Sequence, residues 1–446
     1  MTGETLDPRR WWVLVAVMLA FLPVVLDMTI LHVAVPSITQ ALAASNSQVL
    51  WIIDIYPLLM AGLLVPMGTL ADRIGNRKLL LAGLSTFGLA SAIAAFAPRA
   101  EVLIAARVLL ALGGAMIIPC VLGLIRRTFV DDAERALALG MWGMVGSAGA
   151  AIGPLVGGAL LGQFWWGSVF LINLPVMAVV IPACVFLMAN DRGNSRAPWP
   201  IGQALLMIAG MISMVYAVKA GFSGAQPVTL ALLILLAGMA LILVFARIQM
   251  RSANPMLDLS LFQRPAILAG MIMAVGTTSA LAGVELTLAQ ELQYVIGKTP
   301  FQAGLFMLPI MIASGIGGPL AGKLSNLVGL RPLAAGSLAL SAFALAALAQ
   351  SDFAQPGWHV PALLALLGLM LSIGLTASSI AIMNSVEPEK GAAAGALEGT
   401  SYELGGGLGI TIFGVFLAAI YSRGFHPPEG LEPSLAGRAA RSIGGT

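Results

Sequence analysis

Charged side chains are scarce in this sequence. Asp, Glu, Lys and Arg make up 10% of 446 residues, against roughly 25% in a soluble domain. Hydrophobic residues make up 59% and the mean hydropathy is +0.95, more apolar surface than a water-soluble core can bury. Cysteine is nearly absent as well. Cys120 and Cys184 both fall inside apolar runs, which leaves no disulfide framework and no thiolate metal centre. The three histidines, His32, His359 and His426, are too dispersed for a metal site, and no nucleophile–base constellation is present, so an enzyme is not expected and no cofactor is implied. One phosphate-loop look-alike, GGPLAGK at 317–323, has Leu324 where Ser or Thr should ligate magnesium and no strand before it, so no nucleotide partner is expected.

The chain does contain long apolar runs. Scanning for about 20 apolar residues, the length that spans a bilayer, gives thirteen spans beginning near Trp11, Leu50, Leu79, Val102, Ala136, Val169, Ile201, Val228, Ile267, Gly304, Leu333, Val360 and Ala392. Basic residues orient them, because cationic loops stay in the cytoplasm. With the N-terminus inside, sixteen of the 23 Lys and Arg residues fall on inner loops and helix ends, among them Arg73, Arg77, Lys78, Arg192, Arg196 and Lys390, against Arg99, Lys219 and Lys298 outside. The +3 net charge therefore reflects loop bias and gives no reason to expect nucleic acid. The start, MTGETLDPRRWW, runs straight into a span without a cleavage site. Thirteen spans leave the polar segment after Tyr421 outside, and a fourteenth span is expected to be missing from this chain.

Ionisable groups inside these spans are the candidates for function, since a charge in hydrocarbon is costly unless it faces a partner or a watery cavity. Asp27 lies in LDMTILHVAVP, 16 residues past Trp11, roughly 24 Å along a helix. Asp54 lies in WIIDIYPLLMAG, a turn or so inside the outer end of the next span. The two are expected to face one cavity at similar or adjacent depths. Burial favours the protonated form of a carboxyl and a bound cation favours the ionised one, so proton and cation would compete there, which is the coupling an antiporter needs. Structural hydrogen bonding to neighbouring helices is the bland alternative. The later spans add Glu285, Glu291, Glu398 and Glu403. Glu398 and Tyr402, four apart, share a helix face, whereas Glu398 and Glu403, five apart, are about 140° apart, so one of those two acids need face a cavity. Arg107 is the one basic residue well inside a span; it either steers a carboxylate or snorkels to the outer interface.

An internal repeat is also visible. GTLADRIGNRKLL (68–80) follows the second span, and GPLAGKLSNLVGLRPL (318–333) follows the tenth, 250 positions later, each with Gly, Leu-Ala and a basic Gly-x-Arg loop. Two six-span halves with two spans inserted between them account for this spacing, and repeated halves around a midplane site are how many secondary transporters are built. In GAAIGPLVGG (149–158), glycines four apart permit close helix approach and Pro154 removes a helical hydrogen bond.

These motifs carry a family resemblance over nearly the whole chain up to Tyr421. GTLADRIGNRK resembles the cytoplasmic loop signature of the major facilitator superfamily, GAAIGPLVGG its antiporter motif, and LDMTILHVAVP the first-span motif of its fourteen-span drug:proton antiporter family. WIIDIYPL, with Asp54 where most members have a small polar residue, resembles the quaternary-ammonium and viologen exporters of QacA and SmvA type. The resemblance implies an all-α polytopic major facilitator fold: a six-helix half over 1–190, two inserted helices over 191–252, a C-terminal half over 253–421 and an outer tail over 422–446. It implies proton coupling or substrate binding at Asp27, Asp54, Glu285 and Glu398, with Glu291, Glu403, Arg107 and Tyr402 as further candidates. Gly68, Asp72, Arg73, Gly75, Arg77 and Lys78 form its gating motif, and Gly149, Gly153, Pro154, Gly157 and Gly158 its antiporter motif. The expected activity is proton-coupled efflux of lipophilic cationic drugs and biocides by a monomer in a bacterial inner membrane. The alternative is a proton-coupled or facilitated transporter of a small cationic metabolite.

Overall fold

The computed structural model describes residues 9–129, 131–189, 193, 199–223, 227–252, 255, 259–385 and 391–424; the tail beyond 424 and the loop residues Arg192, Arg196 and Lys390 lie outside them. The described residues are helical throughout, with no strand. In chain order the helices are α1 (Arg9–Leu42), α2 (Asn46–Ile74), α3 (Asn76–Ala95), α4 (Ala100–Thr128), α5 (Asp132–Gln163), α6 (Ser168–Leu171), α7 (Asn173–Leu187), α8 (Ile201–Ser223), α9 (Val228–Arg251), α10 (Pro265–Gln290), α11 (Pro300–Val328), α12 (Leu330–Leu348), α13 (His359–Met383) and α14 (Gly391–Gly424). The short α6 and α7 form one span, and eleven spans are long and apolar enough to cross a bilayer among the described residues. The 32-residue α5 and 34-residue α14 complete the thirteen expected from sequence.

Apolar packing forms two large cores among the described residues. One core gathers α1–α7 through residues such as Leu31, Leu59, Phe87, Leu110, Phe129 and Phe170. A second core joins α10 to α13 through Leu292, Met307, Leu364 and Leu367. The pair α8–α9 docks on the outside of this arrangement. Ala204, Met207 and Phe245 pack with Val65 of α2 and Leu397 of α14, Trp51 stacks on Tyr216, and Trp199 donates to the Pro66 carbonyl at 3.1 Å.

The repeat is confirmed, but its register changes. Both α2 and α11 are 29 residues long. Each opens on a reciprocal capping box, Ser45 with Gln48 in one and Thr299 with Gln302 in the other, which satisfies otherwise orphaned N–H groups. Each closes on a glycine at positive φ, Gly75 (98°) and Gly329 (83°), a region that penalises any Cβ. The offset is therefore 254 (45 to 299, 48 to 302, 75 to 329), one helical turn from the 250 suggested by the repeated Leu-Ala. In the corrected register Gly322 matches Gly68, Asn326 matches Asp72 and Arg331 matches Arg77. It also places GGPLAGK inside helix α11, where it is no phosphate loop.

The glycine-rich face of α5 meets two partners. A Cβ on Gly149 would press on Val25 at 3.1 Å, and one on Gly157 would meet Ile30 at 2.5 Å, so this stripe holds α1. Gly158 crosses to the other half, where its Cβ would lie 2.5 Å from the Phe301 Cα, and a Cβ on Gly304 would lie 2.7 Å from the Pro154 carbonyl oxygen. Contacts with backbone cannot be relieved by a rotamer change, so these glycines are required for α5 and α11 to meet.

The two positive-φ turns generate a first prediction. Gly75→Ala and Gly329→Ala should each lower stability by about 1 kcal/mol, additively because the turns lie in different halves. Thermal melting of the detergent-purified single and double variants checks this, and a neutral result at either position would remove the strain argument.

Candidate functional site

Helix α2 presents two different polar faces. On one, Arg107 of α4 is 1% exposed and among the largest wholly buried side chains. Its Nη1 donates to Asp27 Oδ2 of α1, its Nε donates to the Ile52 carbonyl at 3.0 Å, and its guanidinium centre lies 4.4 Å from the Tyr56 ring centroid. The guanidinium is thus satisfied by a carboxylate, a carbonyl and an aromatic face, which is what keeps a charge tolerable in a dry interior. The snorkelling alternative for Arg107 is overturned, because its head group is held inward by α1 and α2. Asp27 Oδ1 and the Tyr56 hydroxyl remain buried without a hydrogen-bond partner.

Asp54 lies two residues from Tyr56, about 200° around the helix, so it points away from Arg107. Its Oδ2 accepts a hydrogen bond of 2.8 Å from Thr411 Oγ1 of α14, and the residue is wholly buried. Asp27 and Asp54, expected to face one cavity, have different partners: Arg107 of α4 for the first and Thr411 of α14 for the second. The α2–α14 junction continues along the helix. Thr400 Oγ1 donates to the Ala61 carbonyl at 3.2 Å, and a Cβ on Gly407 would meet Leu58 at 2.9 Å.

The remaining acids are distributed over the second half. Glu285 of α10 is buried, with Oε2 3.3 Å from His32 Nδ1 of α1. Glu291 is half-buried at the start of a π-helical turn, Glu291–Val295, that ends α10. Glu398 is buried and accepts a hydrogen bond from the Tyr402 hydroxyl, which is the shared face expected from their spacing. Glu403, turned away from that pair, has a buried Oε2 with no partner.

At the opposite end of the bundle, Asp72 and Lys78 are exposed while Arg73 and Arg77 are half-buried. Arg77 Nη2 donates to the Val185 carbonyl at 2.6 Å, tying the start of α3 to α7. Gly68 meets only Pro119 at 3.8 Å, so it is not crowded. Arg10 of α1 pairs with Glu134 of α5 at 2.7 Å at this same end. Sequence reasoning missed Tyr56, Thr411 and the Ile52 carbonyl, and passed over His32. For His32 a signal existed: a histidine five residues after Asp27 in the same span is itself an intramembrane ionisable group.

Comparison with known proteins decides the family. The model of the Major Facilitator Superfamily matches residues 17–409. The chain belongs to the major facilitator superfamily. It is 47% identical over 436 residues to the methyl viologen resistance protein SmvA of Salmonella typhimurium, covering 98% of this chain and 88% of the relative. It is 37% identical over 463 residues to the multidrug efflux pump LfrA of Mycolicibacterium smegmatis, covering 99% and 88%. Among solved structures, a bacterial homologue of the human lysosomal transporter Spinster in an inward-facing, unoccupied conformation superposes with a TM-score of 0.66 at 19% identity, covering 98% of this chain and 88% of that one. The major facilitator fold thus joins the sequence evidence, and the protein is a multi-pass membrane transporter of the drug-efflux kind, with no enzymatic role.

In this major facilitator protein the Arg107–Asp27 pair can be tested by a mutant cycle. Arg107→Met leaves Asp27 as a buried charge without its partner and should cost about 3 to 5 kcal/mol. Combining it with Asp27→Asn should recover at least half of the loss, as read by thermal melting. A double variant no more stable than Arg107→Met alone would show that Arg107 acts through packing and not through the pair.

Proposed function

We propose that this transporter exports lipophilic organic cations in exchange for protons across a bacterial cytoplasmic membrane, working as a monomer with its N-terminus inside. The carrying observation is the charge inventory of the interior. Asp27, Asp54, Glu285 and Glu398 are buried acids, whereas Arg107 is the one buried Lys or Arg among the described residues. An interior with this excess of acid favours cations over anions and sugars. The names of the relatives, methyl viologen resistance and multidrug efflux, point the same way, since methyl viologen is an organic dication. The excess of basic residues at the N-terminal end of the bundle supports the orientation. In this reading residues 191–252 are an inserted pair, and Asp72 with Arg73, Arg77 and Lys78 forms a latch at the inner end.

Asp27 is the proton site of this scheme. Arg107 holds its carboxylate in place, and a proton arriving on Asp27 cancels the charge that pairs with Arg107. The freed guanidinium is then redistributed toward Tyr56 and the Ile52 carbonyl, so one protonation event changes contacts among α1, α2 and α4 together. Asp54, Glu398 and Glu403 supply negative charge toward α14, where a substrate cation binds while those sites are ionised.

The direct test is efflux of a fluorescent organic cation against an imposed pH gradient in proteoliposomes. Asp27→Asn imitates the protonated state permanently and should abolish pH-driven efflux while the protein still folds. Full efflux in that variant would remove Asp27 from the coupling step.

A second measurement separates substrate charge from general coupling. An amide oxygen at position 54 still accepts from Thr411, so Asp54→Asn keeps the junction but removes its charge. Export of divalent methyl viologen should fall about tenfold more than export of a monovalent quaternary ammonium, equivalent to about 1.4 kcal/mol. Equal losses for both substrates would assign Asp54 a structural or general role.

A further inference from the structure

The inserted pair α8–α9 is fastened to the first half along much of a membrane span. Antiparallel to α2, it brings Tyr216 to Trp51, Ile208 to Gly62 and Trp199 to Pro66, which covers fifteen residues of α2, about 22 Å of helix. Two of these contacts are directional. The Trp51 and Tyr216 rings lie 25° from parallel with centroids 6.0 Å apart, and Trp199 donates to the Pro66 carbonyl at 3.1 Å. The third is a close approach, since a Cβ on Gly62 would lie 3.0 Å from Ile208 Cγ1. The segment leading into the pair is anchored too: a Cβ on Gly193 would lie 2.4 Å from the Gly75 nitrogen and 2.5 Å from the Arg73 carbonyl oxygen, so backbone meets backbone at the α2–α3 turn.

The pair is also stiff within itself. Gln249 of α9 donates to Gln203 Oε1 of α8 at 2.6 Å, and a Cβ on Gly238 would lie 3.0 Å from the Gly210 carbonyl oxygen, a small-residue approach of the kind that brings membrane helices together. Toward the second half the contact is of a different kind. Ala204, Met207 and Phe245 share an apolar core with Leu261, Ile267 and Leu397, none of which has a polar side-chain atom. Ile267 and Leu397 stand within two turns of the starts of α10 and α14, and Leu261 belongs to the short helix Leu259–Gln263. Val65 of α2 lies in the same core, so α8 crosses the α2–α14 seam at this end. Just past Leu261, Arg264 donates to the Ser385 carbonyl, which ties the start of α10 to the end of α13.

We propose that α8 and α9 move as one body with the first half, and that their apolar contact with Leu261, Ile267 and Leu397 is a clasp that opens and closes as the second half moves. In hydrocarbon, lipid tails replace apolar packing at little cost because they are as apolar as leucine, whereas a hydrogen bond to a carbonyl has no substitute there. The α2–α8 surface therefore persists, and the clasp is the surface that yields. While it is closed, the inserted pair extends the first half across the α2–α14 seam and holds that end of the seam shut. The chain passes from one moving body to the other between Arg251 and Arg264. The inference requires halves that move against each other and is independent of which substrate is carried.

The test locks one surface at a time. A Cβ on Gly62 would lie 3.7 Å from the Ile208 Cβ, within the range a disulfide needs, so Gly62→Cys with Ile208→Cys fastens α8 to α2. Oxidising this pair should leave efflux of a fluorescent organic cation within about twofold of the reduced protein, because a bond inside one body removes no state. Joining Ala204→Cys to Leu397→Cys with a short bis-methanethiosulfonate holds the clasp closed and should lower efflux by about tenfold or more, with recovery on adding reductant. Protein carrying only Cys120 and Cys184, both wholly buried, gives the background for both arms. Efflux stopped by the α2–α8 lock, or undiminished in fully bridged α8–α14 protein, overturns the proposal. Spin labels supply a readout that needs no efflux, at Ala82→Cys of α3, Leu205→Cys of α8 and Ala335→Cys of α12, all three exposed positions. On adding methyl viologen the 82–205 distance should hold while both distances to 335 change together, and a change in the 82–205 distance also overturns the proposal. Labels that behave as stated in a protein that exports no organic cation would instead sink the export reading and leave this inference standing.

Discussion

The buried ion pair between Arg107 and Asp27 is the constraint around which the first half is arranged. A guanidinium in a dry interior must be met on all sides, and here three different helices contribute: a carboxylate from α1, a carbonyl and a ring from α2, and the stem of α4 itself. Moving any one of these helices leaves a charge exposed to hydrocarbon, so the three behave as one body. A displacement of any one of these side chains is thereby passed to three helices together.

Where the halves meet, the chemistry is of another kind. Single hydrogen bonds join them, Thr411 to Asp54, Thr400 to the Ala61 carbonyl and Gln293 to the Val33 carbonyl, together with backbone-to-backbone approaches at Gly158 and Gly304. Each is worth on the order of 1 kcal/mol net, small enough to break and remake in a cycle. Between the halves these single bonds stand beside shared apolar packing, with Leu286 and Ile410 in the core of α1–α7 and Val65 of α2 packed with Leu397 of α14.

Much of this was legible in the chain. The thirteen helix starts fall within four residues of the apolar runs that announced them, because a bilayer imposes length on every span. Asp27, Asp54, Glu285 and Glu398 declared themselves as charges in apolar context, and all four are buried. What stayed hidden was pairing. That Arg107 answers Asp27 across 80 residues depends on how α1, α2 and α4 pack, and no local pattern encodes it. The repeat was misregistered by one turn because Leu-Ala recurs in the neighbouring turn, while the capping boxes and positive-φ glycines that fix the register are geometric marks. His32 was weighed only as a metal ligand, and its lone partner is an acid on another helix.

The corrected register has an electrostatic consequence. The first hairpin turn carries Asp72, Arg73, Arg77 and Lys78, whereas the matching positions of the second are Asn326, Leu327, Arg331 and Pro332. The second turn has the glycine and the caps of the first but little of its charge. In the proposed orientation both turns lie against an anionic leaflet, where each basic residue near the surface is attracted by about 1 kcal/mol. The first half is therefore moored to the membrane through three cations and the second through one at these positions.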